Sequence, residues 1–299
     1  MEKHTDIENL AVLNVLAYYD VFDYPLTIDE IYRFSKGLSK DQVRLDLNNL
    51  VDNSIIYKAN DLYSLKNDPV AIIKRKEGTQ RTIDFKEKAI KRAKLIGKFP
   101  YVRAVFISGS FSKGYMPIDG DIDYFVITKH NRMWLARTLI ILYKKVFLFN
   151  SRKFFCVNYF LGEKDLNIDQ KNIFTATEIF TLKPIINKDL YKNLLKENQW
   201  IEEYYDFNKL IDHEIIDYKS NRSKSILEPI FNNNMGEKID LFFMKLTLRR
   251  WERKFPNLPK IDFNIAFKST RNVSKHHPSN FQKKVLESFN KTINKLKNV

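Results

Sequence analysis

Three features of the sequence predict an α+β fold. Apolar residues recur at helical spacing over the first 50 positions. Two apolar strands flank a glycine-serine turn between residues 102 and 128. From residue 167 on, most segments carry helical periodicity. The predicted organisation is a small helix-and-hairpin module at 1–68, a basic linker helix at 69–98, a strand-rich core at 99–165 and a helical C-terminal region at 166–299.

The elements follow in order. Leu10, Leu13, Val15, Leu16 and Tyr19 mark one face of a first helix. After Pro25, Thr27 and Glu30 have the spacing of a capping box for a helix over 28–34. Ser39 opens a third helix whose inner face is Val43, Leu47, Leu50 and Val51. "SIIYKANDLYSL" (54–65) predicts two short strands around a turn at Ala59-Asn60-Asp61. This order resembles a winged helix. The module carries 7 Lys and Arg against 12 Asp and Glu, however, a net of −5. Phosphate contacts supply most non-specific DNA affinity, so protein docking or regulation is expected of it before DNA binding.

Pro69 closes the module, and a long basic helix over 71–97 follows, with Gly78 as its weak point. Strands are predicted at 102–107, 122–128 and 153–161, with an apolar helix at 133–149. Further helices are predicted at 169–182, 189–204, 236–253 and 279–297. A non-helical interval at 256–278 contains the strand-like "IDFNIAF". There is no internal repeat.

Composition narrows the function classes. Apolar residues make up 44% of the 299, enough for sizeable cores. Cys156 is the sole cysteine, which excludes an intramolecular disulfide framework and fits a reducing, cytoplasmic setting. Apolar runs such as 139–143 are too short for a membrane span, and the acidic start is unlike a signal peptide, so no membrane association is expected. The net charge of +15 is uneven: +7 over 69–100, +2 over 101–244 and +11 over 245–299. Such a field draws nucleotides, RNA, DNA or acidic lipids, and lysine-rich solvated helix faces give the same numbers.

The chemistry concentrates in "FISGSFSKGYMPIDGDIDYFVIT" (106–128), where Asp119, Asp121 and Asp123 crowd the entry to an apolar strand. Strand alternation places Asp121 and Asp123 on one face and Ile122 and Tyr124 on the other. Two carboxylates on one side of a strand edge form a natural Mg²⁺ site. Gly109-Ser110, at the end of the preceding strand, offers a backbone free of Cβ, N–H donors and a hydroxyl to a phosphate. Metal beside a phosphate cradle is what nucleotidyl transfer requires.

Gly109-Ser110, Lys113-Gly114 and Asp121-x-Asp123 together resemble the signature of the DNA-polymerase-β-like nucleotidyltransferase superfamily, and within it the minimal nucleotidyltransferases. The resemblance covers residues 100–160. It implies a mixed-sheet nucleotidyltransferase core, a nucleoside triphosphate donor and Mg²⁺ or Mn²⁺ as cofactor. Asp121 and Asp123 become metal ligands and catalytic residues, and Gly109, Ser110 and Lys113 phosphate-binding residues. The acceptor hydroxyl stays open among RNA, protein and small molecules. The superfamily places a third carboxylate on a later strand, and here the matching stretch, Val157-Asn158-Tyr159, offers an amide. Asn158 can coordinate through its carbonyl but cannot take a proton. Asp119 and Glu163 are the substitutes in sequence. Two other readings are a nucleotide-binding regulator of weak activity and a DNA-binding regulator using the fold as scaffold. Arg137, one turn into its helix, is expected at the surface ahead of a reach to the triphosphate, and Lys275-His276-His277 in a plain polar loop ahead of a basic loop near the acceptor site.

Overall fold

Two capping boxes organise the start of the chain. Thr27 accepts the Glu30 amide while the Glu30 carboxylate accepts the Thr27 amide, and Ser39 and Gln42 repeat the arrangement. They start α2 (Ile28–Phe34) and α3 (Lys40–Asp52), which follow α1 (Leu10–Asp20) and the two-residue β1 (Leu26–Thr27). A hairpin of β2 (Tyr57–Ala59) and β3 (Leu62–Ser64) turns at Asn60, whose φ of 57° suits asparagine. The three strands form an antiparallel sheet in the order β1-β3-β2. These coordinates come from a computed structural model that describes residues 10–151, 153–211, 222–276 and 281–297.

Asp68 then caps α4 (Pro69–Gly97) by accepting the amides of Val70 and Ala71, with Pro69 at the first helical position. The helix runs unbroken through Gly78, contrary to the weak point expected there. A Cβ at 78 would overlap the Tyr115 ring, and the Gly78 carbonyl accepts the Met116 amide at 3.0 Å. The glycine is a docking point for the loop that carries the aspartates.

The second sheet has the order β7-β4-β5-β6-β8, formed by β4 (Val102–Ser108), β5 (Asp123–Thr128), β6 (Cys156–Gly162), β7 (Lys183–Ile186) and β8 (Val273–Lys275). Only the β5–β6 pair is parallel. The crossover that joins them is α6 (Met133–Phe147), as a parallel connection requires. The short α5 (Gly109–Ser112) links β4 toward β5. Beyond β6 come α7 (Ile173–Phe180), α8 (Lys188–Glu197), 3-10 turns at Gln199–Glu203 and Phe207–Lys209, α9 (Arg222–Ile230), α10 (Asn234–Lys254), α11 (Lys260–Ala266) and α12 (Phe281–Lys297).

Two assignments read from sequence differ. β7 falls in the gap between two predicted helices, 169–182 and 189–204, where no strand was expected. It is an edge strand, where the missing N–H of Pro184 is tolerated. "IDFNIAF" is largely α11 rather than a strand. Its alternating apolar residues also fit an i, i+4 pair, and Phe263 and Phe267 take that option, with ring centroids 4.9 Å apart on the face toward Trp251. Tertiary packing decides between two periods the sequence allows equally.

The five-stranded sheet is buried on both faces. Val105, Ile107, Tyr124 and Val126 face α4, α6 and α10. Ala104, Phe106, Phe125 and Ile127 face a core shared with α7, α8 and the N-terminal module, including Leu16, Tyr19, Phe34 and Leu47. Polar ties accompany this packing. The Arg75 guanidinium donates to Glu30 at 2.7 Å and to the Pro25 carbonyl at 3.1 Å, and Lys209 donates to the carbonyls of Ser35 and Leu38. No helix among the described residues is long and apolar enough to cross a membrane.

Gly78→Val is expected to destabilise the protein by about 2 kcal/mol through forced displacement of Tyr115, even though valine is the better helix former. Denaturant unfolding checks this, and stability equal to the parent would show that the helix–loop contact is loose.

Candidate functional site

The site forms where β4 ends and β5 begins. Ser108 lies opposite Asp123 in the antiparallel register. Gly109 then takes φ +66° to turn the chain into α5, and a Cβ there would overlap Asp123 Oδ2. The glycine is required twice, by a left-handed backbone and by the closeness of a carboxylate. Ser110 lines the same space, and its hydroxyl makes no hydrogen bond among the described residues.

Ile122 is fully buried, and its backbone bridges Lys153 and Cys156. Asp121 and Asp123 therefore emerge on the other side, as alternation predicts. Ligand atoms of Asp121, Asp123 and Cys156 lie within 4.8 Å of one another. Cys156 is brought there by the parallel register, which sets it beside Asp123. One residue further the register shifts: Val157 pairs with Tyr124, Tyr159 pairs with Phe125, and Asn158 is left between them as a bulge. The bulge aims the Asn158 amide at the site, where Nδ2 donates to Asp123 Oδ1 at 2.7 Å.

Burial, and then the Asp121 carboxylate, push the Asp123 carboxyl up to about 8, opposed by a hydrogen bond from the Cys156 thiol. Burial and the two carboxylates in turn hold the thiol well above its ordinary range, so Cys156 is a neutral donor here. The donor set that remains is two hard carboxylate oxygens, which fits Mg²⁺ or Mn²⁺ better than a thiolate-seeking metal.

The other residues singled out in sequence fall differently. Lys113 lines the same cleft, its Nζ donating to the Gly109 carbonyl at 3.1 Å and to Glu178 Oε1 of α7 at 2.6 Å. The Tyr24 hydroxyl of the N-terminal module lies 3.0 Å from the Lys113 carbonyl, which couples that module to the same turn. Asp119 is exposed on the loop. Glu163 sits at the opposite end of β5, its amide on the Thr128 carbonyl and its carboxylate 3.8 Å from Arg103, so neither substitute completes the pair. Arg137 is not at the surface: it is 9% exposed, stacked 4.8 Å from the Trp251 ring. Lys275 and His276 are not in a free loop either. Lys275 is buried in β8 with Nζ on Gln170 and Gln282, the His276 amide donates to the Asn158 carbonyl, and His277 lies outside the described residues.

Sequence reasoning missed Cys156 and Glu178 as neighbours of the aspartates. Cys156 could have been found from the parallel register of "DYFVIT" with "CVNYFLG". Glu178, the single charge in the apolar "IFTATEIF", carried a weaker signal. Around the site opens a cleft of about 1060 Å³, walled by the N-terminal module, the β4–β5–β6 ends, α6, α7 and α10. Asp23 and Glu178 are the further carboxylates that line it. No family model, curated protein or solved structure matches the chain.

Two outcomes are expected. Gly109→Ala should cost about 2 kcal/mol or more, from the left-handed backbone and the overlap with Asp123, and unaltered denaturant unfolding would contradict the close approach. Because the Asp123 carboxyl is raised in the folded state, the native protein holds more protons than the unfolded chain between about pH 4 and 8. Metal-free stability therefore falls as pH rises through that window. Asp123→Asn should flatten the trend and be the more stable form at pH 8, which melts in EDTA at pH 5 and pH 8 will show.

Proposed function

We propose that the protein is a Mg²⁺-dependent nucleotidyltransferase, moving NMP from a nucleoside triphosphate to a hydroxyl acceptor with release of pyrophosphate. The observation that carries the reading is the Asp121–Asp123 pair converging beside a glycine-led turn, with Gly109 against the Asp123 carboxylate. Asp121 and Asp123 would hold Mg²⁺ or Mn²⁺, which when bound neutralises phosphate charge and aligns the acceptor oxygen. The Ser110 hydroxyl and the adjoining backbone N–H groups would position phosphate oxygens, with Lys113 bracing the turn through Glu178. Asn158 orients Asp123 through its N–H. The resemblance to the minimal nucleotidyltransferases supports the same reading, and the helix-and-hairpin module is read as winged-helix-like, with a docking or regulatory role for a protein partner. RNA, protein and small molecules are the acceptor classes, and a cytoplasmic location suits all of them.

One observation favours a second reading. Asn158 spends its donor on Asp123 and offers no base, which suits a nucleotide-binding regulator with little turnover. Incubation with α-labelled nucleoside triphosphates, Mg²⁺ or Mn²⁺ and RNA, protein or small-molecule fractions separates the two. Transfer of label, reduced a hundredfold or more by Asp121→Asn and by Asp123→Asn, supports the first. Mg²⁺-dependent nucleotide binding without any labelled product supports the second, and absence of metal-dependent binding defeats both.

Asn158→Asp is expected to raise Mg²⁺ affinity by adding a third negative ligand, and to destabilise the metal-free protein by repulsion among three carboxylates. Calorimetric Mg²⁺ titration and EDTA melts check the two halves, and an affinity that does not rise would remove Asn158 from the metal site.

A further inference from the structure

The cleft has a second charged wall. Arg137 and Lys145 on α6 and Arg250 on α10 line it away from the aspartates. Arg137 is nine-tenths buried, yet its guanidinium makes no hydrogen bond or ion pair among the described residues. It is held instead by ring faces, 4.8 Å from Trp251, 5.6 Å from Trp134 and 6.0 Å from Phe160. A guanidinium stacked this way keeps its N–H edge free for a planar or tetrahedral oxyanion.

The electrostatics are unrelieved. Burial and Arg250 lower Arg137 to about 10, while burial, Arg250 and Arg137 lower Lys145. No carboxylate enters either balance. Concentrating like charges beside buried aromatic rings is costly unless a counter-charge arrives. Three cations match a multiply charged group better than a single carboxylate. The wall also adjoins the aspartate site through a chain of contacts. The Asn158 carbonyl accepts the His276 amide at 2.9 Å, the His276 ring lies 5.1 Å from Trp251, and Trp251 carries Arg137.

We propose that Arg137, Lys145 and Arg250 form a binding site for a phosphoryl group, built into the cleft and independent of metal. The phosphoryl group comes either from the outer phosphates of a nucleotide seated at the aspartates or from a second, phosphate-bearing ligand. The site stands without the transfer reading, because neither its charges nor its stacking involve Asp121 or Asp123.

The test uses the full chain in EDTA, titrated with inorganic tripolyphosphate and followed by calorimetry and by tryptophan fluorescence, since Trp251 and Trp134 carry the guanidinium. Saturable binding with a fluorescence change is expected, weakened tenfold or more by Arg250→Glu and by Lys145→Glu. Both positions are exposed, so melting temperatures should stay near the parent value. Asp121→Asn should leave the affinity unchanged. Absence of saturable binding overturns the proposal, and so does equal weakening by Lys76→Glu, an exposed charge on α4, because binding would then be diffuse attraction to a basic protein. ATP with Mg²⁺ identifies the source. Competition with tripolyphosphate assigns the site to a nucleotide's own phosphates, and simultaneous binding assigns it to a second ligand. Failure of ATP to bind while tripolyphosphate binds would sink the transferase reading and leave this site standing.

Discussion

A central strand that is apolar on both sides obliges the chain to cover it twice. Tyr124 and Val126 point to one face of β5, Phe125 and Ile127 to the other, and all are essentially shut off from water. The helices α4, α6 and α10 cover the first face. The second is covered by α7 and α8 together with the N-terminal module, whose Leu16, Tyr19 and Phe34 share one core with Phe106 and Phe125. The first helices of the chain are thus part of the wall that encloses the site. Tyr19 and Tyr24 line the cleft, and the Tyr24 hydroxyl reaches the turn that presents Gly109.

Within that frame the aspartate pair is a stress the fold holds in place. Two carboxylates converge where burial already opposes charge, and the neighbours relieve them only in part. Cys156 and Asn158 donate hydrogen bonds and neither brings a positive charge, while the nearest ammonium, Lys113, is engaged by Glu178. On the opposite wall Arg137, Lys145 and Arg250 meet the reverse situation and repel one another. A cleft with acid unrelieved on one side and base unrelieved on the other suits a ligand that bridges a cation and several phosphates.

What the sequence disclosed depended on how local the cause was. The caps at Thr27 and Ser39, the Gly109 turn and the one-sided aspartates rest on interactions within a few residues, and each was readable from spacing. Asn158 was expected near the aspartates from the family resemblance alone, and the bulge that sets its amide on Asp123 was not foreseen. The rest required long-range pairing. Cys156 became a site residue through parallel register, and Arg137 was buried by Trp251, more than a hundred positions away. α11 was chosen over a strand by aromatic rings it packs against. The basic wall stayed hidden because its members come from two helices whose lysines and arginines look like ordinary solvated charge.

The outer strands of the five-stranded sheet have a consequence for the protein in crowded solution. β7 carries Pro184 at its middle and β8 spans three residues, so neither margin offers a long run of free amides and carbonyls. Strand-by-strand addition of another polypeptide finds little purchase on such borders. A strongly apolar sheet is thereby guarded at both of its margins against templated strand addition.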